Sequence, residues 1–161
     1  MKRFSTIAGL AGVLIALMAS TAFAAPARTV ELGYGKTAAT WQAAGSGAIA
    51  LAEAHAVVGC QPAVNGCDDT LVQITTPGAL NVKTTCTASP ATPLGSAPDV
   101  DVHIYESDAS GKKGDELGEG GVTFGPNETV TEGVETGFYV VEIHFTMTAP
   151  VLPVKVDALL E

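Results

Sequence analysis

Basic side chains are scarce in this sequence: eight Lys and Arg stand against 17 Asp and Glu, which gives a net charge of −9 at pH 7. A protein that binds nucleic acid through phosphates needs a basic face, so that class is excluded. Charged residues make up 16% and hydrophobic residues 47% of the chain, which also excludes a disordered acidic tail. Motifs of catalysis are missing as well, with no His-Glu-x-x-His and no phosphate-binding glycine loop. We therefore expect a protein that is not an enzyme.

The sequence has one long hydrophobic run, which lies at the N-terminus. Met1-Lys2-Arg3 is basic, residues 7–18 carry no polar side chain, and Ala22-Phe23-Ala24 has small residues at the positions a signal peptidase reads. The run of about 12 residues is shorter than the roughly 20 that span a bilayer as a helix. The sequence thus predicts a signal peptide over 1–24 and a chain secreted to the periplasm or the exterior, with no membrane span after processing.

Cysteine is also sparse and odd in number, with Cys60, Cys67 and Cys86. Export permits disulfides, and three cysteines allow three pairings, each leaving one thiol. The stretch 61–66 is rich in turn residues, which favours a Cys60–Cys67 bond. A bond that involves Cys86, or no bond, is the alternative. The absence of a Cys-x-x-Cys spacing argues against a metal site made of cysteines.

Alternation of apolar and polar residues dominates the chain beyond Cys67. In 99–105 three apolar residues share one face, and in 138–146 four do. Such a period of two indicates half-buried strands, and about seven or eight are separated by turn signals. We predict an all-β fold, an antiparallel β-sandwich or jelly roll. One domain is expected, in which 25–67, with its Ala/Gly-rich segment, joins the sandwich of 68–161. The polar, glycine-rich stretch 106–121 is predicted to be a long loop or hairpin connection.

Two of these strands resemble a known family. Asp99-Val-Asp-Val-His-Ile-Tyr is followed by Gly137-Phe-Tyr-Val-Val-Glu-Ile at a matching separation. This order, from about Asp68 to Ile143, resembles the bacterial pre-peptidase C-terminal domain. The resemblance implies a secreted, jelly-roll-like β-sandwich without catalytic activity, which assists export, surface attachment or substrate binding.

Some related sandwiches bind calcium, and the resemblance makes Asp101 the first candidate ligand, with Asp99 beside it. Calcium requires six to eight oxygen ligands from several segments. The other carboxylates that could contribute are Asp68, Asp69, Asp108 and Asp115. The alternative is that Asp99 and Asp101 are solvent-facing strand residues.

Histidines indicate a different metal. His103 and His144 both fall on the outward phase of their strands. If the two strands are neighbours, the imidazoles together with Glu142 could hold a transition metal. Two exposed histidines without a ligand are the alternative.

Phe138 and Val140 are apolar on a face where polar residues are expected. They predict either burial under another segment or an interaction face for a partner. We therefore expect a secreted binding or accessory module of the bacterial envelope or exterior, whose partner is a protein or a polysaccharide. The alternatives are a secreted hydrolase, a hydrolase-associated inhibitor, and a self-associating structural protein of the envelope.

Overall fold

The computed structural model describes residues 25–44, 66–86, 99–120, 127–147 and 154–161. The predicted signal peptide, Cys60 and the Ala/Gly-rich segment lie outside these residues. Within them the regular structure consists of nine β-strands and no helix. The strands are β1 Arg28–Leu32, β2 Ala38–Ala43, β3 Cys67–Ile74, β4 Gly78–Cys86, β5 Asp99–Ser107, β6 Lys113–Gly120, β7 Thr129–Val134, β8 Gly137–Met147 and β9 Val154–Leu160.

The strands form two sheets. A five-stranded sheet has the order β1-β3-β8-β5-β6, and a four-stranded sheet has the order β2-β9-β4-β7. The predicted β-sandwich is confirmed. One pairing, between β1 and β3, is parallel, whereas the others are antiparallel. Alternation sets which face a side chain occupies but not the direction of the neighbouring strand, so this pairing could not be predicted.

Inward-facing side chains of both sheets make the core. The predicted inward residues of β5 and β8 are buried there, and Trp41 of β2 joins them at 8% exposure. Burial of this apolar surface is the main force that holds the two sheets together, at about 25 cal/mol per Å². The inward phase of β5 and β8 determines that their other side chains lie on the outer face of the five-stranded sheet.

The stretch predicted to be a long loop contains a strand. Asp108 shapes a short turn, because its Oδ1 accepts hydrogen bonds from the backbone nitrogens of Ser110 (2.8 Å) and Lys112 (3.1 Å). Gly111 follows at φ 83°, a conformation that favours glycine. β6 then returns along β5 as the edge of the sheet. The predicted connection is thus limited to residues 108–112, and the second strand was not predicted, since β6 reads Lys-Gly-Asp-Glu-Leu-Gly-Glu-Gly and lacks alternation.

Within the described parts of the chain we find no helix with the length and apolar character needed to cross a membrane.

Candidate metal site

The two histidine-bearing strands are neighbours. β5 pairs with β8 so that Asp101 lies opposite His144, and His103 lies opposite Glu142. Directly opposite residues of an antiparallel pair project from the same face, about 4.5–5.5 Å apart at Cβ. The register therefore collects Asp101, His103 and His144 on the outer face of the five-stranded sheet.

The ligand atoms of these three side chains lie within 4.8 Å of one another. The Nδ1 atom of His144 is 3.8 Å from Oδ2 of Asp101. The centroids of the two imidazole rings are 6.4 Å apart, with 57° between the ring planes. His144 is 1% exposed and His103 is 7% exposed, so both rings are largely removed from water although they lie on the outer face of the sheet. We name Asp101, His103 and His144 the histidine cluster.

Two imidazoles and one carboxylate form a donor set that suits transition metals. Imidazole nitrogen binds zinc and copper well, whereas calcium prefers a shell made of oxygens. Metal–nitrogen bonds in such sites are about 2.0–2.1 Å long. Donor atoms already within 4.8 Å can reach one ion through small side-chain rotations.

A glutamate of β6 contacts the cluster. Oε1 of Glu116 lies 2.6 Å from Nδ1 of His103. An ionised carboxylate can only accept hydrogen bonds, so with Glu116 ionised the contact places a proton on Nδ1, and in the neutral imidazole the lone pair is then on Nε2. Glu119, opposite His103 in the ladder, completes a second set of close ligand atoms with His103 and Glu116.

Two bulges explain how β6 supplies these side chains. The ladder with β5 shifts between Ile104 and Tyr105 and again between Tyr105 and Ser107, and each shift adds one residue to β6. A bulge re-aims the side chains that follow it. Lys113, Glu116 and Glu119, spaced by three rather than two, therefore share the outer face.

Lys113 organises a charge network next to the histidine cluster. Its Nζ lies 2.9 Å from Oδ1 of Asp69 and also donates to Glu142. The same Nζ lies 5.1 Å from the centre of the Tyr105 ring, a cation–π distance. The side chains of Asp69 and Glu142 are 10% and 2% exposed, so one lysine serves two buried carboxylates. We name Lys113, Asp69, Glu142 and Tyr105 the lysine network.

Burial sets the proton affinities in this network. It raises the pKa of Asp69 from 3.8 to about 7, an effect that Lys113 opposes and Glu142 reinforces. Burial also raises the pKa of the Tyr105 phenol, and Glu142 and Glu116 add to the increase. Asp69 therefore keeps its proton to a higher pH than a carboxyl group in water does.

The structure separates Asp68 and Asp108 from Asp101, with which they were grouped as candidate calcium ligands. Asp68 projects from the core face of β3, where Arg28 Nη2 donates to its Oδ2 at 3.0 Å, so it cannot share an ion with Asp101. Asp108 holds the β5–β6 turn. Asp99 lies opposite Met147 at the start of β5, and its side chain is outside the description. A calcium site at Asp99 and Asp101 stays a prediction.

The predicted interaction face and disulfide are placed only in part. Val140 is fully buried, and Phe138 is half-buried, so within this pair only Phe138 offers surface to a partner. Cys67 is fully buried at the start of β3. Because Cys60 lies outside the described residues, the Cys60–Cys67 bond stays a prediction.

Comparison with known proteins yields structural neighbours but no family. No protein-family model and no curated protein matches the sequence. Among solved structures, the lysozyme inhibitor PliG of Aeromonas hydrophila, a periplasmic inhibitor of g-type lysozyme, is 10% identical, with 84% of this chain and 100% of that chain covered and a TM-score of 0.49. The pre-peptidase C-terminal domain of collagenase from Bacillus anthracis is 8% identical, with 83% and 94% covered and a TM-score of 0.43.

CorA of Methylomicrobium album BG8, a surface-associated copper-binding protein, is 9% identical, with 85% of this chain and 99% of that chain covered and a TM-score of 0.52. At these identities the likeness is one of fold. The solved structures that this chain resembles thus include a pre-peptidase C-terminal domain and proteins described as periplasmic and as surface-associated.

Proposed function

We propose that this chain is a secreted, non-catalytic accessory protein that binds a divalent transition-metal ion through Asp101, His103 and His144. The observation that carries the proposal is the β5–β8 register, which brings the three ligand atoms within 4.8 Å of one another. Hydrogen-bonded strands hold these residues in place before the ion arrives, so binding requires only the ordering of side chains. Sites on strands are positioned more accurately than sites on loops.

Charge supports a divalent ion. Asp101 contributes one negative charge to the cluster, and Glu116 and Glu119 add two more beside His103. Lys113 is committed to Asp69 and Glu142 and therefore compensates other carboxylates. A dication in the cluster gains more from these negative charges than a monocation does, because Coulomb energy scales with the charge of the ion.

Copper is the first ion to test. Among divalent first-row metals, sites made of nitrogen and oxygen donors bind copper most tightly. A protein with a similar β-sandwich, CorA, is described as copper-binding and surface-associated. Zinc, with its preference for imidazole and carboxylate ligands, is the second ion in this class.

The test is a titration of the exported chain with Cu²⁺, Zn²⁺ and Ca²⁺ at pH 7.5, with the affinity measured by competition against a chelator. We expect one ion per chain and tighter binding of Cu²⁺ than of Ca²⁺. His144→Ala removes a ligand and is expected to weaken Cu²⁺ binding by more than about 100-fold, beyond the effect of losing an outer partner. Asp101→Asn is expected to act in the same direction.

A matched control is Asp157→Asn. Asp157 lies on β9 in the other sheet and is hydrogen-bonded to Thr40 at 2.7 Å. This substitution removes the same charge far from the cluster and should leave Cu²⁺ affinity within about twofold. Equal affinities of the wild type and His144→Ala would refute the proposal, and so would selective binding of Ca²⁺. The second result would favour the calcium site predicted for Asp99 and Asp101.

A further inference from the structure

We infer that Glu116 is a positioning residue for His103, an inference that rests on the proposed metal site. The 2.6 Å contact between Glu116 Oε1 and His103 Nδ1 is a hydrogen bond in which the ring nitrogen donates. It selects the imidazole tautomer whose lone pair is on Nε2. The nitrogen that His103 offers to the ion is then Nε2.

The hydrogen bond also limits rotation of the ring. A histidine side chain with one nitrogen held by a carboxylate keeps its other nitrogen in a fixed direction, and the carboxylate makes the imidazole a stronger donor. His144 has an acidic neighbour of its own, because Asp101 lies 3.8 Å from its Nδ1. In the proposed complex Asp101 is a ligand, whereas Glu116 acts on the ion through His103.

The bulges in β6 place Glu116 next to His103. With an unbroken ladder the residue opposite Tyr105 would be Leu117, whereas the shift places Glu116 in that position. Leu117 packs against the core instead. One extra residue in the edge strand therefore exchanges an apolar side chain for a carboxylate beside His103.

Three variants separate positioning from charge and from ligation. Glu116→Ala removes the acceptor, whereas Glu116→Gln removes the charge but keeps a carbonyl oxygen that can accept from Nδ1. Glu119→Ala removes an equal charge near the same histidine without breaking that hydrogen bond. The Glu116 side chain is 42% exposed, so its substitutions should leave the fold intact, which the melting curve of the metal-free chain checks.

The probe is Cu²⁺ alone, with its affinity measured by chelator competition and its coordination followed by electron paramagnetic resonance. We expect Glu116→Ala to weaken binding by about 10–100-fold, the usual cost of losing a carboxylate behind a histidine ligand, and to alter the resonance spectrum. Glu116→Gln and Glu119→Ala should each lose less than about fivefold, the effect of removing one exposed charge, and Glu116→Gln should keep the wild-type spectrum.

Three results would overturn the inference. A loss below about fivefold in Glu116→Ala would show that the hydrogen bond does not matter for binding. A loss in Glu116→Gln as large as in Glu116→Ala would identify the carboxylate as a ligand or as a charge. An equal loss in Glu119→Ala would assign the effect to charge alone. Failure of the metal site itself is distinguishable, because the wild type would then bind no more tightly than His144→Ala.

Discussion

Replacing Lys113 with methionine tests whether one lysine compensates two buried carboxylates. Methionine keeps an unbranched stem of similar length but has no charge. The substitution leaves Asp69 and Glu142, with side chains 10% and 2% exposed, without the ammonium that lies 2.9 Å from Asp69. Breaking a buried ion pair from one side costs about 3–5 kcal/mol, because an uncompensated charge remains in the protein.

The loss should depend on pH in a defined direction. Burial already raises the pKa of Asp69 to about 7 with Lys113 in place. Lys113 lowers that pKa, so its removal shifts the value further upward. At pH 8 the variant must either keep an uncompensated charge on the buried Asp69 or bind a proton at a pH where protonation is unfavourable. We therefore expect its free energy of unfolding to be about 3–5 kcal/mol lower than that of the wild type. At pH 5 Asp69 is protonated in both proteins, so the part of the loss that comes from its charge is absent and the total loss should be smaller than at pH 8.

The assay is urea unfolding at pH 8 and pH 5 in the presence of a chelator. Trp41, the only tryptophan, is buried in the core and reports unfolding through its fluorescence. Lys155→Met is the control. The Nζ of Lys155 lies 2.7 Å from Asp157, but these side chains are 45% and 38% exposed, so a loss below about 1 kcal/mol is expected at both pH values.

Two results would contradict this reasoning. The first is a loss in Lys113→Met that is the same at pH 5 and pH 8, because the charge of Asp69 would then contribute nothing to the loss. The second is a loss at pH 8 no larger than that of Lys155→Met. It would show that solvent or another group compensates Asp69 and Glu142.

Three further predictions use other parts of the sandwich. Asp69→Asn removes a carboxyl group whose pKa is raised in the folded chain. Between pH 3.8 and about 7 the folded wild type keeps a proton on Asp69 that the unfolded chain has released. The free energy of unfolding of the wild type, relative to that of the variant, is therefore highest below pH 4. It should fall by up to about 4 kcal/mol as the pH rises through 7, measured by urea unfolding; a constant difference would refute it. Phe145→Ala empties a fully buried core position and should cost about 3–5 kcal/mol in the same assay, and a cost under about 1 kcal/mol would place Phe145 outside the core. Peptide mapping of the non-reduced, exported chain should recover Cys60 joined to Cys67, and recovery of either one joined to Cys86 would show that pairing to be wrong.

Two residues of the candidate site, His103 and His144, could be predicted from the alternation of apolar and polar residues alone. The phase of β5 and β8 assigns His103 and His144 to the outward face, and adjacency of the two strands was the stated condition for a transition-metal site. Glu142 was grouped with the histidines, but it bonds to Lys113, and Asp101 completes the close set instead. The alternation within a strand identifies the face of the sheet on which a side chain lies. It does not determine which residue of the neighbouring strand lies opposite.

Glu116 and Lys113 could not have been found in the same way. They lie on a strand whose side chains of interest are three residues apart, because two bulges interrupt its ladder with β5. A rule based on a period of two reads such a stretch as a polar loop. A weak signal was present in the five-residue interval between Ser107 and Lys113, which suits a hairpin turn, but it says nothing of where the bulges fall.

By itself the sequence determined the class of the fold, the inward faces of the main strands, the acidic character of the chain and its predicted export. Each of these properties depends on composition or on the pattern of residues within one strand, so it can be predicted from the sequence alone. Tertiary structure alone decided the strand order, the parallel β1–β3 pair, and the meeting of residues 101, 103, 116 and 144 at one place. These depend on hydrogen-bond register between segments far apart in the chain, which is set by the packing of the whole sandwich.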